Sequence, residues 1–304
     1  MNDVGQVVGY YADPGQPSHA FVWDTGSLVD LGTPGGNQGG NPWASGINVG
    51  EQIACNSGGQ AYRWSQGQWL SVGSLGGGSQ ANGIDLQGEV TGFAYLTPGG
   101  TYHAFVYRQG SMVDLGTLGG ANSVANRIND LGEVVGRSDV AGVTHAFVYR
   151  NGAMNDLGTL GGTHSEANDI DSTGAVIAGW ADTPVARHAS LYSNGHMTDL
   201  GSFGGASEAA AVNDLGQVVG WSDDSLGVRH AFLYDNGSMI DLNTLVSGSG
   251  WTLERAMDIN NLGQIVGWGR NPAGEEHAFL IVPEPATLSL LALGSLAVLR
   301  PRRK

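Results

Sequence analysis

Lysine is absent from this 304-residue chain until its last position, Lys304. Without lysine there is no Walker-type phosphate loop. Before Pro283 nine arginines face 27 acidic side chains, so there is also no basic face for a polyanion, and nucleic acid is excluded as a partner. Cysteine is almost as scarce. Cys55 stands alone, which rules out an intrachain disulfide and any cysteine-based metal site; it reads as a buried, inert thiol. Charged residues reach only 13%, and amphipathic helical patterns are missing, so neither a disordered polar polymer nor a helical bundle fits. What is abundant is glycine, 51 residues of it, crowded with Asn, Asp, Ser and Thr between short apolar runs. This is an all-β composition.

A repeat runs from residue 2 to residue 282. Segment A ends in Ile-Asn or a variant: Ile47-Asn48, Ile84-Asp85, Ile128-Asn129, Ile170-Asp171, Val212-Asn213 and Ile259-Asn260. Segment B follows a glycine turn, as in Glu133-Val134-Val135-Gly136 and Gln217-Val218-Val219-Gly220, and it opens the chain as Gln6-Val7-Val8-Gly9. Segment C is His-Ala-Phe-Val-Tyr or a relative, starting at His19, His103, His145, His188, His230 and His277, with Gln60 opening a degenerate copy. Segment D centres on Asp30, Asp114, Asp156, Asp199 and Asp241, with Ser71 replacing the aspartate once. Each segment is a short apolar run bounded by turn residues, which reads as a strand. The turns Asn129-Asp130-Leu131-Gly132 and Arg150-Asn151-Gly152 place glycine where tight hairpins need it.

Four hairpin-linked strands in a unit of about 42 residues match a propeller blade. The expected fold is therefore a β-propeller of four-stranded antiparallel blades, with a β-solenoid as the rival. Segments B and C occur seven times and A and D six times, so seven blades are expected, the first and last incomplete, with six as the alternative. The same count leads to the expectation that the natural reading frame starts earlier, with a D and an A segment ahead of Met1.

The six histidines of segment C could suggest a ring of metal ligands. A zinc site needs three or four ligands within about 2 Å of one ion, and blade-equivalent positions do not converge, so these histidines are expected to pack and donate hydrogen bonds between blades, with no metal site. The segment D aspartates suit calcium by their oxygen chemistry, but no twelve-residue calcium loop is present; acceptance of backbone N–H bonds is the stronger reading, and calcium remains the one possible cofactor. Runs such as Leu118-Gly119-Gly120 precede strands rather than helices and so offer no phosphate site. Every Ser, His and acid candidate recurs in each unit, whereas catalysis needs a singular constellation, so no enzyme is expected. Trp43, Trp180, Trp221, Trp251 and Trp268 lie near strand ends, where an exposed indole could stack on a sugar ring and a covered one would pack between blades.

After Ile281 the composition changes. Val282-Pro283-Glu284-Pro285 is followed by an apolar stretch from Ala286 to Leu299 and then by Arg300-Pro301-Arg302-Arg303-Lys304. As a helix, 14 residues reach about 21 Å, short of the roughly 30 Å hydrocarbon core, so a weak, transient membrane anchor is expected, held by Arg300, Arg302, Arg303 and Lys304 on the cytoplasmic side. The domain reading is thus a propeller over residues 1–282 and a sorting signal over 283–304.

The tail resembles the PEP-CTERM sorting domain through Pro283-Glu284-Pro285. The body resembles the HAF extracellular repeat family through the triplets at 19–21, 103–105, 145–147, 230–232 and 277–279. The first resemblance implies export by a Gram-negative-type bacterium, transient contact with the inner membrane, recognition by an exosortase and removal of the tail near the Pro-Glu-Pro motif. The second implies an extracellular repeat protein. A signal peptide, which such proteins carry, is absent from this chain and fits the expected upstream start. The leading expectation is a non-enzymatic cell-surface or matrix scaffold with extracellular polysaccharide as a possible partner. The alternatives are a polysaccharide lyase or glycosidase, and a sugar-binding lectin.

Overall fold

The computed structural model describes residues 1–12, 15–36 and 40–283, with the backbone of Leu293–Val298. The chain is all-β: seven antiparallel sheets follow one another as the blades of a β-propeller. The helical turns among the described residues are two 3-10 turns, Pro34–Gly36 and Leu242–Thr244. Segments A to D form the first to fourth strands of a blade, in the fourth blade Ser123–Ile128, Val134–Val140, Val143–Arg150 and Ala153–Gly158. The first blade has three strands, Val7–Tyr11, His19–Asp24 and Ser27–Asp30. The chain divides into two compact units, residues 1–158 with four blades and residues 159–304 with three.

The seventh blade holds Thr252–Ile259, Ile265–Arg270 and Glu276–Pro283, with Leu293–Val298 paired in the place of a segment D strand. A helix was expected over 286–299. Leu293–Val298 is instead extended, with Val298 opposite Phe279 and Leu293 opposite Pro283; the rest of that span lies outside the described residues. A lone helix of 14 residues is marginal in water, whereas the edge of Glu276–Pro283 offers a row of backbone partners.

Strand alternation gives the His-Ala-Phe triplet its packing role. In Val143–Arg150, His145, Phe147 and Tyr149 share one face and Ala146 and Val148 the other. Phe147 is fully buried against Ala104, Val106 and Leu115 of the third blade. Phe105 meets Ala54, Ala61 and Val72 of the second blade in the same way, and Phe232 meets Ala178, Ala189 and Leu200 of the fifth. The third, fourth, sixth and seventh blades each insert a phenylalanine into an alanine-lined recess of the blade before it, and each such burial contributes about 1.5–3 kcal/mol; the second blade has Tyr62 at this position and the fifth has Ser190.

The first strands carry a β-bulge opposite the segment B glycine, between Ala81 and Gly83, Ala125 and Arg127, and Ala209 and Ala211. The bulge re-aims one side chain at the next blade. Asn82 Nδ2 donates to the Ala125 carbonyl at 2.8 Å, Asn168 Nδ2 to that of Ala209 at 2.8 Å, and Ser45 Oγ to that of Ala81 at 2.9 Å. A serine two residues upstream of the bulge makes a second link. Ser123 Oγ accepts the Ala104 N–H and donates to the Gly116 carbonyl, and Ser207 does the same with Ala189 and Gly201.

The A–B turns are linked in a third way. Asn48 Oδ1 accepts from the N–H groups of Gly50 and Gln52, while its Nδ2 donates to Gln52 Oε1 and to the Asp85 carbonyl of the next blade at 2.7 Å. Asn213 repeats the arrangement toward Asn260. The segment A asparagine thus closes its own hairpin and ties it to the neighbouring one.

Candidate functional site

The segment C histidines pair with the segment D aspartates of their own blade. His19 Nδ1 lies 2.8 Å from Asp30, His103 2.9 Å from Asp114, His145 2.8 Å from Asp156, His188 2.9 Å from Asp199, and His230 2.8 Å from Asp241. The carboxylate can only accept, so Nδ1 carries the proton. Each of these aspartates also accepts a backbone N–H two residues on, at 2.7–2.8 Å: Gly32, Gly116, Gly158, Gly201 and Asn243. The hydrogen bonds expected between blades are therefore made within each blade, because strand C lies beside strand D and eleven residues of hairpin bring the two side chains together. His277 has no such aspartate; its Nε2 lies 3.5 Å from Glu275. In the second blade both members change together, to Gln60 and Ser71, and Ser71 Oγ keeps the turn by accepting the Gly73 N–H. Among the described residues no group of three or more His, Cys, Asp or Glu side chains is placed to hold a metal ion.

Replacing His103 or Asp114 with alanine is expected to lower stability by about 1 kcal/mol, the net worth of one such hydrogen bond. A double-mutant cycle in urea unfolding checks this, the double replacement costing less than the sum of the single ones.

The position after each segment B glycine varies, and so does the position before each segment C histidine. In three blades these two residues stack on one another. Arg187 lies 3.5 Å from the ring centre of Trp180, and Arg229 lies 3.6 Å from that of Trp221. Both indoles are buried, capped by guanidinium groups that are themselves held by carboxylates, Arg187 by Glu208 at 3.3 Å and Arg229 by Asp223 at 2.9 Å. Burial raises the Glu208 carboxyl pKa against the pull of Arg187, and burial together with the Arg229 charge lowers that of Arg255, which leans over both Trp221 and Trp268. These tryptophans are packing groups.

In the third blade the stack is aromatic on both sides. Phe93 and Tyr102 lie 5.3 Å apart, Tyr95 and Tyr102 5.6 Å, and Phe93 and Tyr95 6.0 Å, all tilted or edge-on. These rings form one wall of a cavity of about 380 Å³ between the third and fourth blades, completed by Gln80, Asn82, Val124, Asn126 and Arg137. All three rings are partly exposed. Gln80 Nε2 donates to Asn82 Oδ1 at 3.2 Å, which fixes both amides along the rim. Neither phenol hydroxyl bonds to another described residue. The lining contains no Asp, Glu or His. The sequence reading weighed the tryptophans and missed these tyrosines; the available signal was two aromatics at positions flanking the shared Gly92 and His103 that other repeats fill differently.

Val282 and Pro283 end the third strand of the seventh blade. Glu284, Pro285, Arg300, Arg302, Arg303 and Lys304 lie outside the described residues. Residues 282–304 match the PEP-CTERM protein-sorting motif. This motif implies export and recognition of the tail by an exosortase. Among curated proteins none matches. Of solved structures, the β-propeller domain of the Trilobed protease from Pyrococcus furiosus aligns over 97% of this chain and 94% of its own, at 8% identity and a TM-score of 0.60. A putative TolB from Agrobacterium tumefaciens aligns over 90% and 97%, at 13% identity and 0.56. TolB from Acinetobacter baumannii aligns over 79% of this chain and 62% of its own, at 15% identity and 0.52. These likenesses show the propeller fold.

Proposed function

We propose that the exported chain is a non-catalytic saccharide-binding scaffold of the cell surface or matrix, released from its tail by exosortase processing near Pro283-Glu284-Pro285. The observation that carries the reading is the groove of Phe93, Tyr95 and Tyr102 rimmed by Gln80 and Asn82. Partly exposed aromatic rings accept the C–H face of a pyranose, and fixed amides and phenols bond its hydroxyls. Glycoside cleavage draws on a pair of carboxyl groups flanking the bond, and the groove is lined by none. The chain's acidic balance favours neutral or sparsely charged polymers over dense polyanions.

The test is a glycan array probed with the full chain, followed by titration of the hits. Binding is expected, and Tyr102→Ala is expected to weaken it about tenfold, roughly 1.4 kcal/mol, while thermal unfolding stays within a degree or two. Polymer shortening during incubation, or binding indifferent to Tyr95→Ala and Tyr102→Ala, overturns the reading.

A further inference from the structure

In the unit of residues 159–304, arginines and acids around the first strands form a ladder across the blades. Strand register places Glu166 opposite Trp180, Glu208 opposite Trp221 and, in the seventh blade, Arg255 opposite Trp268. The seventh blade thus carries a guanidinium where the fifth and sixth carry a carboxylate. A cation at this place needs an acid from elsewhere, and the acids that act on it are taken. Glu208 is held by Arg187 at 3.3 Å, Asp223 by Arg229 at 2.9 Å and Glu254 by Arg270 at 2.9 Å. The same three carboxylates act on Arg255 through charge alone. Glu276, the seventh-blade counterpart of Arg187 and Arg229, is exposed and joins none of these pairs. Arg187, Arg229, Arg255 and Arg270 therefore share three carboxylates, and the surplus charge falls on Arg255.

Two buried donors mark the same place. Arg255 Nε and Trp221 Nε1 are covered from solvent, and among the described residues neither has a hydrogen-bond partner. A buried donor left without an acceptor costs stability. The two belong to one contact, since the Arg255 guanidinium lies 5.1 Å from the Trp221 ring centre and 5.6 Å from that of Trp268. Arg229, 3.6 Å from the Trp221 ring centre, donates from Nε and Nη2 to Asp223. Its charge adds to that of Arg255 and makes the spot more strongly cationic. The Arg255 side chain is only partly covered, so a ligand reaches it from solvent.

We infer that Arg255, beside Trp221 and Trp268, is a binding site for one carboxylate, which completes the ladder as its fourth acid. A carboxylate fits because Glu208, Asp223 and Glu254 already satisfy the other three guanidinium groups, and the planar fork of arginine matches two carboxylate oxygens. A single charge fits because the surplus is one, and the formal net charge of −15 opposes a multiply charged ligand. A free organic acid and a uronate of a polysaccharide present this same group. The inference is independent of the saccharide groove, which lies in the unit of residues 1–158 and shares no residue with the ladder.

The test follows the Arg255 Nε–H and Trp221 Nε1–H signals of the full chain by proton–nitrogen NMR at pH 7, assigned by their loss in Arg255→Met and Trp221→Phe. The probes are acetate, glucuronate, inorganic phosphate and glucose, titrated at constant ionic strength. Acetate and glucuronate are each expected to move the Arg255 signal downfield to saturation, with the Trp221 signal following. Arg255→Met, read through the Trp221 signal, is expected to weaken binding at least about tenfold. Should that variant fail to fold, Arg255→Lys, which keeps the charge and loses the fork, is expected to weaken it about threefold. Glucuronate binding tighter than acetate names a sugar polymer as the source of the carboxylate, and equal binding names a free organic acid; both uphold the site. Signals unmoved by either acid, equal movement with glucose, tighter binding of phosphate, or an affinity unchanged in the Arg255 variants each overturn the inference. Neutral glycans still held at the groove in any of these cases leave the saccharide reading standing.

Discussion

Gly220→Val is expected to unfold the second unit's sixth blade or to cost more than about 3 kcal/mol, whereas Gly9→Ala is expected to cost under about 1 kcal/mol. The two glycines hold the same place in segment B. A Cβ on Gly220 would collide with the Glu208 carbonyl oxygen and lie 3.0 Å from the Ala209 Cα, because the bulged first strand brings its backbone against the glycine. Gly92, Gly136 and Gly267 meet the carbonyls of Gln80, Val124 and Arg255 in the same way. The first blade has no strand on that side, and a Cβ on Gly9 meets only the Phe21 ring at 3.2 Å, which can shift. Urea unfolding of both variants checks the contrast. Equal losses at the two positions would show that glycine is needed there for something other than the bulge.

Asp85→Asn is expected to stabilise the protein by about 1–2 kcal/mol at pH 7 and to leave it unchanged near pH 4. Asp85 takes the place of the turn asparagines and is 3% exposed. Burial is the main cause that pushes its pKa up to about 6, with the charges of Glu89 and Asp130 adding to it. The folded chain therefore keeps this proton up to about pH 6, while the unfolded chain releases it near pH 4. Stability contributed by this group is highest below pH 4, falls between pH 4 and 6, and stays reduced above. The full shift would correspond to about 3 kcal/mol, and partial solvent screening near the turn lowers that figure. Asparagine removes the charge, keeps an oxygen for the Glu89 N–H that Asp85 now accepts at 2.8 Å, and adds a donor toward Glu89, as Asn129 does for Glu133. Denaturant midpoints across pH 4 to 8 give the measurement; a variant advantage that is the same at every pH would rule out titration of Asp85 as its cause.

The blade plan was legible because its signals are local. Strand alternation in His145-Ala146-Phe147-Val148-Tyr149 and glycine at Gly132 and Gly152 are dictated by residues within one hairpin. The Asp156 partner of His145 does not follow from the repeat, although their spacing is constant, because equivalent positions point to neighbouring blades while the contact is made by the adjacent strand. The bulge was out of reach for a different reason. Nothing in Ser123-Val124-Ala125-Asn126 announces that Asn126 falls out of register, since the cause is the close approach of Gly136 on the next strand. Leu293–Val298 differs from the helix that its hydropathy suggests because an apolar run does not distinguish a helix from a strand when an open edge lies nearby. The groove is not legible in the sequence because its residues come from five strands of two blades. It is found by asking which repeat positions vary inside an otherwise fixed frame.

The phenylalanine that the third, fourth, sixth and seventh blades insert into their predecessors has a consequence for how such chains change length. Within each unit the joints sealed by these phenylalanines use nearly the same pieces, so duplication or loss of one such module leaves the surviving joints as complementary as before. A deletion of twenty residues would leave a mismatched joint, but one of about 42 would not. Growth and shrinkage of the array are thereby quantised, and a singular feature such as the tyrosine-lined cleft can move, be copied or vanish without disturbing the rest.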